Sequence, residues 1–279
     1  MPHDAWLPDR LTGRVLLSLE TPPKQFVSPG TGRLALVQRE GGEVVAQEAT
    51  RATDDPVIPG SGIKGAVRTV FELLSHSCDP FATRCSRDSC CEACSVFGIL
   101  GWSGRVDFSD ARPASTDSVA VKVEQVPIPW LPHAEKTGGD FRFYDLREAV
   151  ELDPERRIWQ PRARNLTREV FTGRFETRLA FWNMSREELG RLILCMGFGG
   201  GAATRFSLRL GGVKYDGKGA VKVKPLELQL AAPRRKSWNG PQCEEEIATW
   251  IAAAQRSPWS RSFLPGLEKL ARTLSVSNE

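Results

Sequence analysis

Five of the seven cysteines fall within 17 residues, at Cys78, Cys85, Cys90, Cys91 and Cys94. Cys91-Glu92-Ala93-Cys94 is a Cys-x-x-Cys knuckle, a turn that lets two sulfurs converge on one ion, and Cys85 and Cys78 precede Cys91 by six and thirteen positions. Zinc takes four tetrahedral ligands of this kind. The first choice is Cys78, Cys85, Cys91 and Cys94; Cys90 or His76 can replace either of the first two. The alternative is a loop of reduced cysteines, but Asp79, Arg84, Arg87, Asp88 and Glu92 are interleaved with them and make poor apolar filling. In a reducing compartment such a cluster points to metal rather than disulfides. Four protein ligands leave no position for a reactive water, so the expected Zn2+ is structural.

A second stretch, Asp55-Pro56-Val57-Ile58-Pro59-Gly60-Ser61-Gly62-Ile63-Lys64-Gly65-Ala66-Val67-Arg68, suits an anion. Pro59 and Gly60 bend the chain, Ser61 is the expected helix N-cap, and the amides of Gly62, Ile63 and Lys64 then point out of the helix's positive end. Lys64 and Arg68, four apart, share one helical face and add charge for a phosphate. A plain Gly-Ser turn capping a surface helix is the competing reading, since the Walker spacing is absent. Further on, Gly211-Gly212-Val213-Lys214-Tyr215-Asp216-Gly217-Lys218-Gly219 combines glycines, which let backbone approach a bulky ligand, with two lysines that contact phosphate without reading sequence. Asp107 and Asp110 resemble a carboxylate pair, but an aspartate after Phe108-Ser109 at a strand end is better read as a turn cap. The three histidines, His3, His76 and His133, have no obvious catalytic partners.

These residues need elements to position them. Residues 13–20 read as a strand, 34–38 and 43–47 as a hairpin about Gly41-Gly42, and the segment after Val67 as a helix. Residues 119–164 alternate short β-like runs with prolines, glycines and a stretch rich in arginine and aromatics, as a long insertion would; cations and aromatics together suit a single strand of nucleic acid. Residues 171–182 alternate as a half-buried strand, and Ser185-Arg186-Glu187-Glu188 is a capping box opening a helix over 187–196. A strand follows over 205–210, and the tail carries helical patterns near 244–254 and 264–274. The class is α+β. The 279 residues, 41% hydrophobic with net charge +4, permit one large domain and allow nucleic acid without demanding it. The first residues lack a basic segment followed by an apolar run, and no stretch has the roughly 18 apolar residues of a membrane span, so a cytoplasmic protein with no membrane partner is expected.

Residues 58–68 resemble the IPGSSLKGALR signature of the RAMP superfamily, the RNA-binding proteins of CRISPR effector complexes, with Gly62 in place of the second serine. The run from Cys91 through Phe97-Gly98 to Gly104-Arg105-Val106-Asp107-Phe108-Ser109-Asp110-Ala111 is similar to a segment of that family's backbone subunits, and 210–223 resembles its glycine-rich loop. The resemblance implies a ferredoxin-like, modified RNA-recognition core over 1–224, a zinc-knuckle insertion at 76–96, a β-hairpin thumb at 119–168 and an α-helical extension over 225–279. It implies guide (crRNA) contacts by Gly60, Ser61, Gly62, Lys64, Arg68, Gly211, Gly212, Lys214, Lys218 and Gly219. It also implies a type III-like or type VII ribonucleoprotein in which copies of the chain line a guide RNA and present it to target RNA beside other effector subunits. The loop aspartate of type III subunits is not clearly matched, and the catalytic residues are unknown; Asp54 and Asp55 are the candidates for its displaced counterparts. Without it a separate nuclease partner is implied. The alternative is a magnesium-dependent endoribonuclease that cleaves target RNA or processes guide RNA.

Overall fold

The computed structural model describes residues 7–39, 41–78, 85–86, 89–127, 165–214 and 217–274. In chain order these form β1 (Leu11–Glu20), β2 (Gly30–Arg39), β3 (Gly42–Ala49), β4 (Arg51–Ala52), β5 (Asp55–Pro56), α1 (Gly60–Leu74), α2 (Glu92–Phe97), β6 (Gly98–Ile99) and β7 (Trp102–Ser103). Then come β8 (Val106–Phe108), β9 (Arg112–Pro113), β10 (Val119–Pro127), β11 (Asn165–Met184), α3 (Arg186–Cys195), β12 (Leu208–Arg209), β13 (Ala220–Leu230), β14 (Ser237–Asn239), α4 (Gly240–Arg256) and α5 (Ser260–Leu274).

The centre is an antiparallel sheet in the order β13, β1, β11, β8, with α1 between the first and second of these strands in sequence and α3 between the third and fourth. Strand alternation sorts its faces. Val15, Leu17 and Leu19 of β1, Phe175, Leu179 and Phe181 of β11, and Val221 and Val223 of β13 are buried, while Arg14, Glu20, Arg174, Arg178, Lys222 and Lys224 face out. The buried set forms one cluster with Ile63, Val67 and Phe71 of α1 and Leu189, Leu192 and Ile193 of α3. On the far side of β11 the sheet continues into the hairpin of β2 and β3 and into β10. The hairpin turns at Gly41 and Gly42, both at positive φ, where the sequence places it.

The capping box is fully formed: Ser185 Oγ accepts from the Glu188 amide at 3.1 Å, and Glu188 Oε2 accepts from the Ser185 amide at 2.8 Å. Glu188 also accepts from Arg105 Nη2 at 2.7 Å and from Arg10. Burial pushes its carboxyl up, but these two guanidiniums and the Ser185 amide outweigh that and hold it below the usual carboxylate range. This network ties the chain entering β1 and the segment entering β8 to the start of α3.

Two expected boundaries move. The strand expected over 205–210 shrinks to β12, because Gly197, Gly199, Gly200 and Gly201 all take positive φ and Thr204 Oγ1 donates to the carbonyls of Gly199 and Gly201, coiling the chain first. The extension expected from residue 225 begins inside a strand: β13 runs through Leu230 and pairs with β14. Trp250, Phe263 and Leu267 of α4 and α5 enter the same apolar cluster as the sheet, so these helices complete the core. Among the described residues no helix is long and apolar enough to cross a membrane. Most of the expected thumb, residues 128–164, lies outside the described residues.

Candidate metal centre and nucleic-acid interface

Cys78 follows the end of α1, Cys91 is the N-cap of α2, and Cys94 sits in that helix's first turn. The sulfurs of Cys78, Cys85, Cys91 and Cys94 all lie within 4.8 Å of one another, and those of Cys78 and Cys94 are 3.7 Å apart. A tetrahedral zinc with bonds near 2.3 Å separates its sulfurs by about 3.8 Å, so the spacing fits that ion. Backbone amides already point at the sulfurs: Cys91 N–H donates to Cys85 Sγ at 3.3 Å and Cys94 N–H to Cys91 Sγ at 3.4 Å. Burial pushes the Cys91 thiol up, but the amides of Cys78 and Cys94 and the neighbouring thiols bring it down to about 7. Cys78 is pushed up to about 11 by burial and by its bonds with Cys85 and Cys91, and Cys94 goes up for similar reasons. Four thiols this close cannot all ionise unless a cation neutralises them, and the cluster could hold a metal ion in that way. The alternates fall outside the set: His76 is exposed, and the sulfur of Cys90 is not among the four.

At the head of α1 the structure corrects the expected cap. Pro59, not Ser61, is the N-cap, so the helix starts earlier and the Gly62 and Ile63 amides turn inward to the Pro59 carbonyl at 2.9 and 3.2 Å. The cap's electrostatic role falls to Asp110, whose Oδ1 accepts from the Gly60 amide at 2.8 Å. Asp110 thus caps the distant head of α1 and not its own turn as expected, and the close approach of the Phe108 backbone requires glycine at 60, where a Cβ would lie 2.1 Å from the Phe108 carbonyl oxygen. Lys64 Nζ lies 3.8 Å from the exposed Asp107. A surface pair of this kind contributes about 0–1 kcal/mol, so a phosphate could displace it. Arg68, one turn on, is engaged with Glu72, Gly98 and Cys94.

The glycine-rich loop closes against its own chain. The Gly212 amide donates to Ser28 O at 2.8 Å, that of Gly219 to Phe26 O at 2.9 Å and that of Leu210 to Gly219 O at 2.8 Å. Gly211 and Gly219 have φ of +86 and +84, and a Cβ at Gly219 would lie 2.1 Å from the Leu210 oxygen. Lys218 Nζ donates to Lys24 O at 3.3 Å and sits 5.5 Å from the Phe26 ring.

A strip of backbone joins this loop to the head of α1. From Ser28 it passes to Pro29, whose carbonyl accepts from Thr50; Thr50 O accepts from Val57, and Ile58 exchanges hydrogen bonds with Ala111 beside the Asp110 cap. Two motifs some 150 positions apart are thus linked through a run of backbone hydrogen bonds. Asp54 is exposed on the turn between β4 and β5 and Asp55 is exposed at the start of β5, along the same strip. Between them and β3, Arg51 is clamped by Glu169 at 2.7 and 3.0 Å.

Sequence reasoning placed Arg168 with the arginine-rich insertion and not with the glycine-rich loop. Arg168 in β11 brings Nη1 to 2.8 Å from where a Gly212 Cβ would stand, and its buried Nε has no hydrogen-bond partner among the described residues. Nothing local in the sequence ties Arg168 to Gly212; the contact follows from the fold.

Compared with known proteins, the chain matches the family model described as RAMPs, the RAMP superfamily, over residues 25–222, well over half of its length. No curated protein matches the sequence.

Proposed function

From the premise that this chain belongs to the RAMP superfamily, whose members work with RNA and other subunits in CRISPR effector complexes, we propose that it is a guide-binding backbone subunit. It has a ferredoxin-like core with a zinc knuckle and a thumb. Copies of it line the crRNA and present it to target RNA. The observation that carries this reading is the shared strip: a run of backbone hydrogen bonds links the glycine-rich loop to the head of α1, a path along which successive phosphates could pass. The phosphate-facing cations are Lys64, Arg168, Lys214 and Lys218. Glycines 211, 212 and 219 shape the loop, and backbone contacts dominate because any spacer must be accepted. Exposed Leu34, Leu36 and Val45 on the hairpin of β2 and β3 suit contact with a neighbouring copy. The metal is a structural Zn2+ on Cys78, Cys85, Cys91 and Cys94.

The test is a salt series of guide RNA binding for wild type and a Lys64→Ala, Lys214→Ala, Lys218→Ala variant. Each lost phosphate contact lowers the slope of log K against log salt by about 0.7 on a single strand, so a loss of about 2 is expected, equal for unrelated guide sequences. An unchanged slope sinks the phosphate reading. In the same preparation, with magnesium and a complementary RNA, the scaffold reading requires the target to stay bound and intact. Regular fragments that vanish in an Asp54→Ala, Asp55→Ala variant would make the chain a ribonuclease.

A further inference from the structure

Resting on the reading of the four sulfurs as a metal centre, we propose that Arg68 serves that centre and not the RNA. Its guanidinium is the counter-ion of the thiolate cluster and helps set how firmly the metal is held. Nε donates to Glu72 Oε1 at 2.8 Å, Nη1 to the Gly98 carbonyl at 3.0 Å, and Nη2 to Cys94 Sγ at 3.7 Å. Glu72, with its side chain 10% exposed, sits one turn further along α1 and fixes the plane of the fork. Gly98 closes α2, the helix whose first turn carries Cys94. One side chain thereby joins α1, the end of α2 and a metal ligand.

Charge explains why it should be there. Four thiolates around a divalent cation carry a net −2, and Cys94 is buried. Such a cluster needs a positive group in its outer shell, and hydrogen bonds to ligand sulfurs are how outer shells tune a metal site. An arginine presents its donors in a fixed planar fork that reaches three separated acceptors at once, whereas a lysine's three donors sit on one nitrogen. Distance argues against the phosphate role: at 1.5 Å per residue Arg68 lies about 12 Å along the axis from Gly60, beyond reach of an anion seated on the helix's first amides. Lys64 remains as the cation of that helix available to RNA.

The measurement is metal release from the full-length protein loaded with Zn2+, followed by transfer to a chromophoric chelator. Arg68→Ala should release zinc about tenfold faster or more, and Arg68→Lys, which keeps the charge, at a rate between the two. In the Co2+-loaded protein the sulfur-to-cobalt charge-transfer bands should shift in Arg68→Ala. The salt slope of RNA binding by metal-saturated Arg68→Ala should match wild type. If Arg68→Ala fails to fold, Arg68→Gln fills the same space without charge and takes its place. Release and bands unchanged, with a salt slope lowered by about 0.7, would return Arg68 to the RNA and overturn the proposal. A wild-type chain that binds neither Zn2+ nor Co2+ would overturn the metal reading and this inference with it. Failure to bind RNA would leave the release result to stand by itself.

Discussion

Helix α1 has a candidate site at each end, and the two are satisfied differently. Beyond its last residue, Cys78 joins three other sulfurs into a cluster that could hold a metal ion. At its head, two of the amides that sequence reasoning offered to an anion, those of Gly62 and Ile63, are already bonded to the Pro59 carbonyl, and the Gly60 amide is bonded to Asp110. Ligands of one charge that converge need an outside partner. Amides and lysines find partners within the fold and exchange them at little cost. The metal end should therefore dominate stability, and the RNA end should show itself mainly in affinity.

The largest expected effect breaks the first half of that contrast. Replacing Cys91 and Cys94 by serine should remove one metal ion per chain, measured by elemental analysis, and destabilise the fold by about 4 kcal/mol or more, since the knuckle ties α1 to α2. Acidification should act in the same direction on the wild type, because metal-bound thiolates must be deprotonated and protons compete for them as pH falls. A variant with full metal content and an unchanged melting midpoint would mean that other groups hold the ion.

The same contrast explains what was legible from sequence. Strand alternation, the capping box at Ser185 and the cysteine spacing are local patterns with one physical solution each, and β1, β11, α3 and the four sulfurs appear where expected. The misreadings concern groups satisfied from far away. Ser61 is the natural cap by residue type, but Asp110, 50 positions beyond Gly60, supplies the carboxylate, and the helix starts at Gly60. Arg68 follows Lys64 at helical spacing, yet its partners come from the segment after the knuckle. The glycines at 211 and 219 invite a ligand, but the nearest atoms belong to Ser28 and Leu210. Arg168 reaches Gly212 only because β11 runs past the loop.

A mid-sized effect probes the glycine-rich loop. Gly219→Ala places a Cβ 2.1 Å from a backbone oxygen at positive φ, a strain of roughly 1–3 kcal/mol. Denaturant midpoint should fall by that amount, while guide affinity, measured where the variant is folded, should change less than threefold. The opposite pattern, intact stability with lost affinity, would show that the glycine is needed for close approach by RNA and would place the loop with ligand-binding elements rather than self-packed ones.

The smallest effect is the most discriminating, because Asp110 is where the two demands on the head of α1 compete. Its carboxylate holds the Gly60 amide at 2.8 Å, and losing a helix cap costs about 1 kcal/mol, so Asp110→Ala should lower stability by about that much. Asp110→Asn, which can still accept from the amide but carries no charge, should lose only the charge–dipole part, about 0.3–1 kcal/mol. RNA binding should move the other way. A carboxylate beside the first amide repels a phosphate passing Lys64, so both variants should bind guide RNA as tightly as wild type or a few-fold tighter, most clearly at low salt, where that repulsion is least screened. Fluorescence anisotropy against urea denaturation of the same samples makes the comparison. If both variants lose affinity in proportion to stability, Asp110 positions the head of α1 for RNA, and the internal cap and the RNA site act together instead of competing.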